Sequence, residues 1–140
     1  MYERGNDSSV FLRDVEEMSW GIYEGMPRNT RLTQAFGEMK EAWAAEDYEF
    51  RIQGGESVLD VQKRGVRALN YIVHRHTGKN ILVVSHGRFI RILLSTILVG
   101  YNLSRMKDLK QDNTAFNQLV FSDGSYRAEK LKCIDHLTNG

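Results

Sequence analysis

Ile81-Leu82-Val83-Val84-Ser85-His86-Gly87 is the stretch on which the reading of this chain turns. Four aliphatic residues in succession have the pattern of a parallel strand covered on both faces. Phe89 to Val99, apolar nearly all round apart from Arg91, Ser95 and Thr96, reads as a buried helix, and Gly100 ends it as a C-cap would. His86 therefore stands where a strand hands over to a helix. In open α/β sheets ligands gather at the carboxyl ends of strands, and a helix N-terminus there offers free N–H groups and a positive dipole end to an anion. His86, with Arg88 and Arg91 close by, marks a candidate oxyanion site; the plain structural alternative is a histidine that caps the helix.

Working outward, the pattern is that of one mixed α/β domain over residues 1–140, with no repeat and no linker that would divide it. On the N-terminal side, Val10-Phe11-Leu12 is either a short strand or the entry to a loop, and residues 13–30 have loop chemistry, with Gly21, Gly25 and Pro27. Leu32, Phe36, Met39 and Trp43 fall at helical spacing and predict an amphipathic helix whose apolar stripe faces the core. Gln53-Gly54-Gly55-Glu56 breaks that helix. Ser57 with Asp60 three residues on has the form of a capping box, and Val58, Val61, Leu69, Ile72 and Val73 give the next helix its buried face. Beyond Gly100, residues 101–114 read as polar and irregular. Phe116 to Phe121 and Tyr126 to Ile134, joined by Ser122-Asp123-Gly124-Ser125, predict a C-terminal β-hairpin.

Composition excludes several classes of function. A net charge of +1 with interspersed signs argues against nucleic acid or an acidic membrane surface as the main partner. A single cysteine, Cys133, allows no internal disulfide and fits a reducing compartment. No apolar run reaches the roughly 18 residues of a membrane span, and the first residues lack a signal peptide's apolar core. A cytoplasmic protein without membrane or nucleic-acid partners is the expectation. A metal site built from His74, His76, His86, His136 and Cys133 is a poor fit, because His74 and His76 lie two apart on a helix and point to different faces.

A second constellation is Val15-Glu16-Glu17-Met18-Ser19-Trp20-Gly21-Ile22-Tyr23-Glu24-Gly25. Glycines four apart fix a tight loop, and carboxylates flank them. A glutamate held beside a phosphate-binding histidine can protonate a leaving oxygen and then take a proton from attacking water. Most glutamates in such loops are simply solvated.

Taken in order, this Glu-x-x-x-Gly-x-x-Glu-Gly loop, then Gly-Gly-Glu-Ser opening a helix, then Val-Val-Ser-His-Gly, then Asn113-Thr114 and a closing Asp135-His136-Leu137 resemble the histidine phosphatase superfamily, also called phosphoglycerate mutase-like. The resemblance covers about Val10 to Leu137. It implies a three-layer α/β sandwich that transfers a phosphoryl group through a phosphohistidine, with no cofactor and no metal. By that resemblance Glu17 is the proton donor, His86 the second histidine of the phosphate pocket, and Gly87, Asn113 and Thr114 border the bound substrate, a small phosphorylated metabolite. Met18-Ser19-Trp20-Gly21 and Tyr23-Glu24-Gly25 look like the phosphatase branch, in which an aromatic residue precedes Glu-Gly.

Family members carry a strand ending in Arg-His-Gly, which supplies the nucleophilic histidine and a clamping arginine; this sequence contains no Arg-His-Gly. Arg75-His76-Thr77-Gly78 is a weak substitute and reads as a polar helix terminus. The expectation is thus a domain truncated at its N-terminus and inactive alone, the full protein being the enzyme. The alternative is a natural pseudophosphatase that serves as a phosphate- or protein-binding module. The strand expected beside Ile81–Val84 is missing too, so an apolar, unpaired sheet edge and self-association through it are expected. Arg28 and Arg31 are candidates for a second anionic group, or ordinary solvated arginines.

Overall fold

Helix α1 (Thr30–Ala44) begins where the Asn29 side chain accepts a hydrogen bond from the Leu32 N–H at 2.8 Å, and it buries Leu32 and Met39. The expected apolar stripe is the one that faces inward. Helix α2 (Val58–Arg75) starts with a complete capping box. Ser57 Oγ accepts from the Asp60 N–H at 3.2 Å, and the Asp60 carboxylate accepts from the Ser57 N–H at 2.9 Å. This second bond, reinforced by the neighbouring Arg51, holds the Asp60 carboxyl below its ordinary value. Helix α3 (Gly87–Ile97) follows. The computed structural model describes residues 9–138.

The buried face of α2 differs from expectation. It runs through Val58, Val61, Gly65, Ala68 and Ile72, whereas Leu69 and Val73 are only partly covered. Small residues took the centre of the face because α3 comes close there: a Cβ on Gly65 would meet the Phe89 ring at 3.3 Å and Leu93 Cδ1 at 3.2 Å. Phe89 and Ile92 then form the main core with Met18, Val58, Val61 and Met106. The C-terminal half of α3 feeds a second cluster, Leu94 and Leu98 with Leu109, against which Leu119, Tyr126, Ala128 and Leu131 of the hairpin pack.

That hairpin is strand β1 (Phe116–Ser122) paired antiparallel with β2 (Ser125–Cys133). Asp123 and Gly124 both have positive φ, 52° and 75°, the signature of the type I′ turn that suits a twisted two-residue connection. The chain ends its described part in the short helix α4 (Asp135–Thr138). Of the two readings open for Val10-Phe11-Leu12, the loop is the one observed. One other expectation needs correction. Within 101–114 lies a 3-10 helix, Leu103–Leu109, that buries Met106 and Leu109. Its apolar residues recur every third position, the 3-10 period, which a search for helical and strand periods passes over.

Ile81–Val84 is the larger departure. The mixed α/β order holds, yet this segment is neither covered nor paired: Leu82 is 87% and Val84 79% exposed. A strand exists through its ladder, and the sheet among the described residues is the β1–β2 hairpin, which packs on the other half of α3. The segment keeps a tie to the loop before Glu17, where Ser85 Oγ donates to the Val15 carbonyl.

Ser57 is wholly buried as well as capping. Ser57→Ala is expected to cost about 1 kcal/mol, a fall of roughly 3–4 °C in Tm, measurable by thermal unfolding followed by circular dichroism.

Candidate active site

Glu17 reaches the N-terminus of α3, the helix that His86 precedes. The Glu17 carboxylate accepts hydrogen bonds from the Phe89 N–H at 3.0 Å and the Arg88 N–H at 3.4 Å, two of the donors that an α-helix leaves unpaired in its first turn. It also accepts from the Met18 N–H at 2.9 Å. His86 is the N-cap residue of the same helix, but only through its backbone: its carbonyl accepts from the Ile90 N–H, and its exposed ring makes no capping bond. A histidine present merely to cap would use its side chain. Here the ring is left open to solvent beside a helix head that is already holding a carboxylate.

One guanidinium fixes the Glu17 loop. Arg64 of α2 donates from Nε and Nη2 to the two oxygens of Glu56 at 2.7 and 2.9 Å, from Nη1 to the Asp14 and Glu16 carbonyls at 2.9 Å each, and from Nη2 to the Glu17 carbonyl at 3.1 Å. All the donors of the fork are thereby used. Glu56 also accepts from the Ser19 N–H at 2.9 Å. Beside this, Arg67 grips Asp14 through two bonds of 2.6 and 2.9 Å. Hydrogen bonding from Arg67 holds the Asp14 carboxyl below its ordinary value. A lowered carboxyl contributes stability above the unfolded pKa near 4, and that contribution is lost as pH falls through the folded value.

The glycines of the two motifs are needed because these loops touch backbone to backbone. A Cβ on Gly21, whose φ is +56°, would lie 2.1 Å from the Gln53 carbonyl oxygen, and one on Gly55 would lie 2.7 Å from that of Ser19. The Ile22 N–H donates to Gln53, and the Glu56 N–H to Ser19.

The other candidates are spread over the fold. Gly87 opens α3, and a Cβ there would sit 4.0 Å from Gln111 Cβ, two residues ahead of Asn113-Thr114, an exposed turn in which Thr114 has φ 60°. Arg88 and Arg91 do not join His86 through their side chains. Arg88 lies over Trp20 at 4.4 Å and Arg91 over Trp43 at 5.6 Å, and both line a cavity whose walls include neither Glu17 nor His86. His76 is the C-cap of α2, exposed, as expected of a polar helix terminus. Asp135-His136-Leu137 falls in α4, where the His136 ring stands 5.9 Å from that of Phe116. Arg28 borders a shallow depression near the start of α1.

A model of the histidine phosphatase superfamily (branch 1) matches residues 4–134. The chain belongs to that superfamily. This histidine phosphatase homologue is 26% identical over 123 residues to phosphoserine phosphatase 1 of Hydrogenobacter thermophilus, an alignment that covers 88% of this chain and 57% of that protein. Its fold is similar to Bacillus stearothermophilus YhfR, with a TM-score of 0.73 at 22% identity, over 86% of this chain and 59% of the other. The alpha-ribazole phosphatase of Shigella flexneri gives a TM-score of 0.68 at 22% identity, over 87% and 59%. The phosphoglycerate mutase-like α/β fold is therefore established, and the chain spans under two thirds of the length of these relatives.

Arg64 and Arg67 were the residues that sequence reading passed over. They fall on the exposed side of an amphipathic pattern, and the only available signal was a pair of arginines three apart on a helix that follows an acidic loop. Lysine at position 64 would offer a point charge in place of a fork. Arg64→Lys is expected to cost about 2–3 kcal/mol in urea unfolding, since several carbonyl and carboxylate acceptors lose a charged donor.

Proposed function

We propose that Glu17, His86, Gly87, Asn113 and Thr114 are the acid and oxyanion part of a phosphatase site for a small phosphate ester, and that the chain alone does not turn over. The observation that carries this reading is the Glu17 carboxylate seated on the first free N–H groups of α3, immediately after His86. That spot is where a helix receives an anion. A phosphate ester docked beside this carboxyl has a positioned group from which the leaving oxygen takes a proton. In this reading the exposed His86 ring donates a hydrogen bond to a phosphoryl oxygen as charge develops on it.

The chemistry lacking is the covalent acceptor. Without an Arg-His-Gly segment in this sequence there is no matching nucleophile, and groups that act as a unit lose most of their catalytic factor together. The substrate class follows from the phosphatase relatives, among them phosphoserine phosphatase 1. The uncovered Leu82 and Val84 support association of the isolated chain through that segment, because an apolar, unpaired edge is a template for pairing. A cytoplasmic setting accords with the mixed surface charge and a single cysteine.

The 140-residue chain is expected to form no phosphohistidine and to hydrolyse p-nitrophenyl phosphate no faster than a His86→Ala control. Co-expression with the N-terminal half of a related phosphatase should restore activity, and Glu17→Gln in that pair should lower kcat by about 100- to 10,000-fold with KM little changed. Turnover by the chain alone, abolished by His76→Ala, would make His76 the nucleophile and overturn the assignment. Sedimentation velocity should show concentration-dependent association that Leu82→Lys with Val84→Lys suppresses; a monomer at all concentrations would remove the edge from the account.

A further inference from the structure

A cavity of about 670 Å³ lies between the end of α1, the outer face of α3 and the 3-10 helix Leu103–Leu109. Among the described residues, the buried side-chain polar atoms without a hydrogen-bond partner are Trp43 Nε1, Tyr48 OH, Arg88 Nη1, Arg91 Nε and Tyr126 OH. All but the last belong to residues that line this cavity. Every one of those four carries a hydrogen to donate, and none has an acceptor. Unpaired buried polar groups are rare enough in native proteins that each calls for a cause. Four around one hollow share a cause.

The charges point the same way. Among the described residues neither Arg88 nor Arg91 forms an ion pair, although burial weakens the hold of each on its proton and the two repel one another. Glu17 acts on both only through space, being engaged with backbone N–H groups. The aromatic rings beneath them, Trp20 at 4.4 Å from Arg88 and Trp43 at 5.6 Å from Arg91, serve the faces of the guanidinium groups and leave the N–H edges without acceptors. Lys40 and Lys107 add positive charge at the rim, against one lining carboxylate, Glu46. Half-burying a cation without a partner is costly to a fold, and an anion removes the cost. Trp43, Ala44, Leu103 and Met106 give the cavity apolar wall as well.

We propose that this cavity binds a small organic oxyanion, a phosphate or carboxylate carried on a planar apolar body, with the anion against Arg88 and Arg91 and the plane against Trp43. The site is separate from the Glu17–His86 pair and takes a ligand of its own. Its volume falls within the range of small-molecule sites.

Phenylphosphonate, which carries both halves and resists phosphatases, is the probe, titrated against tryptophan fluorescence and Tm, with inorganic phosphate as the anion lacking the plane. The full chain and His86→Ala are expected to bind phenylphosphonate equally, and more tightly than inorganic phosphate. Arg91→Met should weaken binding about tenfold, the effect of losing a charged hydrogen bond, while its Tm without ligand stays level or rises because an uncompensated charge has gone. Should Arg91→Met fail to fold, Lys40→Met, on the exposed side of α1, carries the same test and should weaken binding about two- to fivefold. Binding abolished by His86→Ala and untouched at positions 91 and 40 would place the anion in the phosphatase site and overturn the second site. No binding, or equal affinity for inorganic phosphate, would also overturn it. Failure here leaves the phosphatase assignment standing, because that rests on Glu17 and His86.

Discussion

The Arg64 guanidinium is the constraint on which the rest of the site depends. It reaches from α2 into the loop and satisfies three successive structural demands: the Asp14 and Glu16 carbonyls, the Glu17 carbonyl, and both oxygens of Glu56. Loop carbonyls without partners would have to turn to water, and the loop would follow them. Held in this way, the backbone at Glu17 has one direction, and its side chain reaches the head of α3. The planar fork matters because several acceptors arranged around one plane cannot be served by a point charge. With the side chain mostly buried, these bonds act in a medium where they count for more than at the surface.

Helix α3 is the second organising element, since it belongs to both apolar clusters and its first turn belongs to the site. Gly65 is what lets α2 come close enough to seat Phe89, and the Phe89 N–H makes the shorter of the two α3 hydrogen bonds to Glu17. Packing and chemistry are therefore coupled through one residue: a shift of α3 along α2 would move the helix head away from the carboxylate. The opposite side of α3 has a different character. There Arg88 and Arg91 lie on aromatic rings facing a basic hollow, so one short helix divides an acidic contact at its tip from a cationic cavity along its flank.

Ile81–Val84 shows how far a pattern can mislead when no described element pairs with it. The residues have the apolar run of a doubly covered strand, and they lead into the helix head as such a strand should. What makes a strand is supplied by its neighbours in hydrogen bonds and covering side chains, and no described element provides them. The hairpin, by contrast, is self-sufficient: both of its strands and its Asp123-Gly124 turn lie within one short stretch, and the turn sets the register from Ser122↔Ser125 back to Leu119↔Ala128.

Local chemistry was therefore what the sequence by itself determined. The Ser57 cap, the apolar stripe of α1, the helix after His86, the Gly124 turn and the family motifs around Glu17 and His86 all depend on neighbours within a few residues, and all are legible in their spacing. Tertiary structure alone decided what depends on distant segments. Arg64 and Glu17 stand 47 positions apart, and no spacing rule links them. The shift of the α2 face to Gly65 and Ala68 arose from the approach of α3, a property of two helices together. The side chains of Arg88 and Arg91 turned from His86 toward Trp20 and Trp43 because aromatic rings from other elements were there to receive them. Short-range preferences are written along the chain; the partner of a charge is set by which surfaces the fold brings together.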